Sequence, residues 1–123
     1  MAMITPASFN LTIVKGADFS FTFDIDVSGT TLDLTGATVT SEIRTDAKRD
    51  ADLILEFTTA VTNGAVSGYP SDVTLSLTDY QTRPAAITES EGFYDVLVTD
   101  ASGNDTYYLR GHVTFLDSVT EKP

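Results

Sequence analysis

Polar and apolar residues alternate along much of the chain, which puts successive side chains on opposite faces of an extended backbone. The run Phe19-Ser20-Phe21-Thr22-Phe23-Asp24-Ile25 changes polarity at every step and predicts a strand with Phe19, Phe21, Phe23 and Ile25 on one face. Residues 9–14 predict a strand before it, broken by Lys15-Gly16. Ser28-Gly29-Thr30 predicts a turn, and Leu32-Asp33-Leu34-Thr35-Gly36 a short extended piece closed by glycine. Residues 37–45 alternate again, with Val39 and Ile43 on one side and Glu42 and Arg44 on the other.

Residues 46–52 are charged and lack an apolar period, which predicts a solvated loop carrying Lys48 and Arg49. Leu53, Leu55 and Phe57 then alternate with Ile54, Glu56 and Thr58. Asn63-Gly64, between Val61 and Val66, predicts a tight hairpin turn, because both central residues of such a turn need positive φ. Val73, Leu75 and Leu77 form the inward set of the next strand. Thr78-x-x-Gln81 matches a capping box and predicts a short helical turn near residues 79–83, stopped by Pro84 and serving as a crossover between sheets.

The last third predicts a hairpin. Tyr94, Val96 and Val98 share one face of its first strand, residues 100–104 make the turn, and Tyr107, Leu109, Val113 and Phe115 share one face of its second. Gly111 falls on that inward face, where a glycine marks a bulge or close approach by another backbone. About seven or eight strands at intervals of roughly 8 to 12 residues predict an all-β antiparallel sandwich. The expected organisation is an N-terminal arm over 1–8, one sandwich over 9–117 and a loose tail over 118–123.

Composition narrows the function more than the fold. With 123 residues, 41% hydrophobic and 20% charged, the chain suits one globular core, and roughly two-thirds of its extended surface would be buried on folding. No cysteine is present, which excludes disulfides, thiol catalysis and cysteine-based zinc sites. Seven Lys+Arg against eighteen Asp+Glu give a net charge of −11, a field that repels a phosphate backbone, so nucleic acid is not expected as a partner. No window approaches the roughly 18 apolar residues of a membrane span, and the first residues lack a basic flank before an apolar run, so the chain is read as soluble with neither span nor secretion signal.

The candidate chemistry is sparse. His112, the single histidine, alternates away from the predicted core with no nucleophile signature nearby, and reads as a surface residue. Asp24, Asp26 and Asp33 could supply paired carboxylates, but their strand-face and turn positions suit solvated acids. Asp100-x-Ser102-x-Asn104-Asp105 begins like a calcium loop, yet Asp105 stands where glycine is required and Gly111 where glutamate is, so a self-bonded turn is preferred to a metal site. No cofactor is predicted. Arg44, Lys48 and Arg49 are the only basic concentration and offer a dock for an acidic neighbour; otherwise they belong to a solvated loop. Phe93 and Tyr108 lie opposite the inward sets of the final hairpin, where strand pairing would bring them together, either as a contact patch or beneath a loop that covers that sheet face.

An ordered set of motifs runs through most of the chain: Gly16-x-x-Phe19-x-x-x-Phe23, Asp33-Leu34-Thr35-Gly36, Ile43-Arg44, Leu75-Ser76-Leu77-Thr78, Gly92-x-Tyr94-Asp95-Val96, Asp100-x-x-Gly103 and Gly111-x-Val113-x-Phe115. In this it resembles the small immunoglobulin-like virion proteins of tailed bacteriophages, which are similar to the N-terminal domain of the phage baseplate upper protein. The resemblance implies a non-enzymatic immunoglobulin-like sandwich, assembled in the host cytoplasm into the virion, with Asp33 and Thr35 bonding backbone at a corner. Its implied partners are the major capsid protein or tail and baseplate proteins, with self-association of copies also considered. The baseplate relatives continue into further domains where this chain stops at Pro123, so the expectation favours capsid decoration over a tail, neck or baseplate adaptor. A carbohydrate-binding module is the rival of another class; it would need a row of exposed aromatics, and Tyr69, Tyr80, Phe93 and Tyr108 are scattered in sequence.

Overall fold

The structure is a computed structural model and describes residues 6–120. The chain is an all-β sandwich. Its strand segments are β1 Ala7–Ser8, β2 Leu11–Val14, β3 Phe19–Phe23, β4 Asp26–Val27, β5 Thr30–Thr31, β6 Thr38–Arg44, β7 Leu53–Glu56, β8 Thr58–Asn63, β9 Pro70–Leu77, β10 Glu91–Thr99 and β11 Asp105–Leu116. One sheet runs β11-β10-β6-β7, with β1 and β2 on the free edge of β11; the facing sheet runs β3-β9-β8, and β4-β5 form a small ribbon. Counted as immunoglobulin strands, the first sheet is G-F-C-C′ and the second B-E-D, the immunoglobulin-like arrangement.

The period-two pattern explains which faces meet. Leu11 and Ile13, Val39 and Ile43, Val96 and Val98, and Val113 and Phe115 turn inward from one sheet; Val73, Leu75 and Leu77 turn inward from the other. Phe57 links the sheets: its N–H reaches the Ser41 carbonyl at 3.0 Å before the chain enters β8, so the run predicted over residues 53–58 is divided between β7 and β8. Ile87, 1% exposed, plugs the crossover between β9 and β10.

The structure departs from the sequence reading in four places. First, β1 and β2 pair β11 in parallel, so the sandwich is not antiparallel throughout. The N-terminal strand is interrupted where Phe9 passes Gly111: a Cβ there would lie 2.0 Å from the Phe9 carbonyl oxygen, the close backbone approach expected of this glycine. Second, Asn63-Gly64 makes no two-residue turn. Gly64 has no positive φ, and residues 64–69 form a longer connection in which Gly68 takes φ 76° and Ser67 and Ser71 share a hydroxyl bond of 2.8 Å. Third, Thr78 and Gln81 do form the capping box, with Thr78 N–H to Gln81 Oε1 at 2.9 Å and Gln81 N–H to Thr78 Oγ1 at 3.2 Å, but the chain closes one turn and leaves without a helix. The buried Thr82 hydroxyl donates to the Ala17 carbonyl at 2.7 Å and fixes that exit.

The fourth departure exchanges two tyrosines between the faces of the sheet. Val96 pairs with Leu109 but Leu97 pairs with Tyr107, which leaves Tyr108 as the extra residue of a β-bulge. One extra residue exchanges the faces beyond it. Tyr107, predicted inward, points out; Tyr108, predicted as an exposed partner of Phe93, packs against the core beside Leu34 and Val98.

Candidate functional site

The outward positions of β6, β10 and β11 make the floor of a hollow on the outer face of the larger sheet. Glu42 and Arg44, Phe93 and Asp95, and Tyr107, Arg110 and His112 all face it, because the alternate residues fill the core. Residues 45–52 arch over one side, and Pro6, Ser8 and Asn10 border the other. The hollow, open to solvent, has a volume of about 550 Å³.

Backbone bonds shape the arch. Thr45 N–H donates to the Asp52 carbonyl at 2.9 Å, closing its base, and the Asp46 carboxylate accepts the Ala47 N–H at 2.7 Å. Arg44 is a half-buried anchor: its guanidinium donates to the Ala51 carbonyl at 2.8 Å and to Glu42 Oε1 at 3.0 Å. Arg49 reaches down to the floor, donating to the Tyr107 hydroxyl at 3.0 Å with its guanidinium 5.9 Å from the ring centre. His112 lies edge-on to Phe93 at 5.3 Å, and its Nε2 is 3.1 Å from Glu91 Oε2.

The electrostatics of this face oppose those of the whole chain. Four of the seven Lys+Arg residues, Arg44, Lys48, Arg49 and Arg110, line the hollow with the only histidine, against three of the eighteen acids, Glu42, Asp46 and Asp95. Desolvation pushes the Asp95 carboxyl above the usual carboxylate range, and Glu42 adds to the push, while Arg49, Arg44 and Arg110 oppose it. Among the described residues, the Asp95 carboxylate, the Lys48 ammonium and the Arg110 guanidinium hold no hydrogen bond. All three border the space a ligand would fill.

Four of the five contact residues expected from sequence, Arg44, Lys48, Arg49 and Phe93, therefore converge on one concave face, and Tyr108 stands apart. Asp95 and Arg110 were missed, although both were legible as outward positions of alternating strands. Tyr107 had no such signal, because the bulge alone turns it outward.

Of the other sequence candidates, Asp24 is exposed between β3 and β4, and Asp26, Asp33 and Asp100 are occupied locally. Asp26 accepts the Thr31 hydroxyl at 3.1 Å within the β4-β5 ribbon. Asp33 accepts the Thr35 hydroxyl at 2.6 Å and its N–H at 3.0 Å, bonds that hold its carboxyl below the usual range. Asp100 Oδ1 accepts the N–H groups of Ser102 and Asn104, each at 2.9 Å, and its pKa is lowered chiefly by the Asn104 bond; the turn uses its own oxygen. Tyr80 carries Arg83 over its ring at 3.8 Å, far in sequence and setting from Phe93, so the aromatics named for a carbohydrate platform do not form one row. Among the described residues no group of three or more His, Cys, Asp or Glu is placed to hold a metal ion, and no helix is long and apolar enough to cross a membrane.

Comparison with known proteins adds little. No protein-family profile matches the chain, and no curated protein matches it. Among solved structures, a mutant of the SrpA adhesin from Streptococcus sanguinis superposes with a TM-score of 0.48 at 15% identity, covering 94% of this chain and 57% of that one. This chain thus spans a little over half the length of the adhesin chain, and a likeness at that level assigns it no ligand and no partner.

Proposed function

We propose that the chain is a non-enzymatic structural protein of a tailed-phage virion, docking in many copies through the outer face of its larger sheet, with capsid decoration as its position and a tail, neck or baseplate adaptor as the alternative. The observation that carries the docking face is the hollow. A chain with net charge −11 gathers most of its cations, with Phe93 and Tyr107, onto one concave surface. Arginine and aromatic side chains are the types enriched at the centres of protein interfaces. The virion setting rests on the ordered motifs, and the Asp33-Leu34-Thr35-Gly36 corner supports them: Asp33 bonds Thr35, and Gly36 takes φ 74°. Repetition on a symmetric lattice would supply avidity without high affinity at each contact.

Charge reversal tests the face. Lys48→Glu combined with Arg110→Glu changes two exposed side chains that hold no hydrogen bond in the fold; position 110 faces Asp95 across the β10-β11 pair, so circular dichroism first confirms that the variant is folded. Incorporation into particles assembled without the native copy should then fall at least tenfold, read by quantitative gel analysis of purified virions. Normal incorporation of a folded variant would remove this face from the docking role, and a particle map at side-chain resolution would distinguish capsid from tail.

A further inference from the structure

The hollow is electrostatically particular, and that narrows what it accepts. Among the described residues, fourteen of the seventeen acids and two of the six bases lie outside the hollow. Charge effects fade over about 8 Å at physiological ionic strength, so attraction acts only on a group held within the hollow. A long polyanion would extend beyond it and meet the acidic surroundings. The anion must therefore be small or carried on a short segment. A volume of about 550 Å³ falls within the range of roughly 300–1,000 Å³ typical of ligand pockets and suits a few residues of extended chain.

The unbonded groups specify the chemistry further. Lys48 and Arg110 are donors without acceptors, and Arg110 offers a planar fork that matches a carboxylate. Asp95 is an exposed acceptor with no hydrogen-bond donor among the described residues, set across the β10-β11 pair from Arg110. An anion with acceptors only, such as phosphate, would face Asp95 at close range. A peptide presents both complements together: an acidic side chain for Lys48 and Arg110, and a backbone N–H for Asp95. The half-buried rings of Phe93 and Tyr107 give the connecting carbons an apolar wall.

We infer that the hollow bounded by Lys48, Asp95 and Arg110 recognises a short acidic peptide segment of a partner protein, reading a carboxylate and a neighbouring backbone N–H at once. This deepens the docking reading and rests on it for the identity of the partner as a virion protein.

The test is titration of the full chain, observed through its backbone amide NMR signals, with a capped pentapeptide alternating glycine and aspartate. Its asparagine counterpart and inorganic phosphate are the comparison probes. The aspartate peptide should shift the amides of Asp95, Arg110 and His112, and the asparagine peptide should bind at least tenfold more weakly. Phosphate should leave those amides in place. Lys48→Ala with Arg110→Ala should weaken the aspartate peptide at least tenfold; Lys48→Ala alone, on the exposed arch, serves if the pair fails to fold. Asp95→Asn should admit phosphate. Equal binding of the two peptides, shifts confined to another surface, or phosphate binding to the unaltered chain as tightly as the peptide would each overturn the inference. If the peptide fails while Lys48→Glu/Arg110→Glu still loses particle incorporation, the docking face stands and the acidic ligand falls. If the peptide binds in the hollow while that variant is incorporated normally, the docking reading falls and the peptide site stands.

Discussion

Gly111→Ala should detach the N-terminal edge strand from the larger sheet. A Cβ at this position falls 2.0 Å from the Phe9 carbonyl oxygen, 2.7 Å from its carbon and 3.1 Å from Tyr94 Cε1. The first two are backbone atoms, so no rotamer change relieves them, and the strand must retreat by about 1 Å to reach even the shortest tolerable contact of 3.0 Å. Three bonds cross this point: Phe9 N–H to the Arg110 carbonyl at 2.9 Å, Tyr94 O–H to the Phe9 carbonyl at 2.6 Å, and His112 N–H to Asn10 Oδ1 at 3.0 Å. The two bonds from backbone N–H groups contribute about 1 kcal/mol net each, and the third, lost, leaves a buried Tyr94 hydroxyl unpaired at a cost of about 1–3 kcal/mol. Alanine recovers roughly 0.5–1 kcal/mol by restricting the unfolded chain. The expected loss is about 2–4 kcal/mol, or a fall of roughly 6–20 °C in Tm for a domain of this size. Urea and thermal unfolding followed by circular dichroism would measure it. Tyr94→Phe should cost about 1–2 kcal/mol, and because both changes act on the Phe9 carbonyl, the double variant should lose less than the sum. A Gly111→Ala protein as stable as the unaltered chain would refute the close-approach argument.

Four further outcomes follow from the same physics. Leu75→Ala empties a fully buried position at the centre of β9 and should cost about 2–5 kcal/mol by denaturant titration, with no change in secondary structure. Burial pushes the Tyr94 pKa up to about 12 from an ordinary 10.0, so its contribution to stability is present below pH 10 and is lost as pH rises through about 12; ultraviolet titration of the unaltered chain and of Tyr94→Phe should show this hydroxyl ionising together with unfolding. Asp100 has the opposite sign: its carboxyl titrates below the usual range, so its support of the 100–104 turn is present above that range and lost as pH falls through the lowered value, which amide exchange in the turn would report. Arg44→Ala removes the anchor to the Ala51 carbonyl and should speed amide exchange across residues 46–51 while reducing global stability by only about 1 kcal/mol.

The class of fold and most of its inward faces were legible in the order of residues. Alternation is a local property, so Val73, Leu75 and Leu77, or Val39 and Ile43, could be assigned to the core without knowing which strands they would meet. It also flagged Gly111 as a point of backbone contact and gathered Arg44, Lys48, Arg49 and Phe93 as candidate contacts. Partner identity, register and the site as a surface needed the tertiary structure. That β1 and β2 join β11 in parallel depends on residues about a hundred positions away along the chain, and no local pattern encodes that choice. The exchange of Tyr107 and Tyr108 turns on one unpaired residue, and a single slip in register inverts every side chain beyond it. The raised pKa of Asp95 arises only when folding sets it among Glu42, Arg44, Arg49 and Arg110, because desolvation and charge proximity are properties of three-dimensional packing.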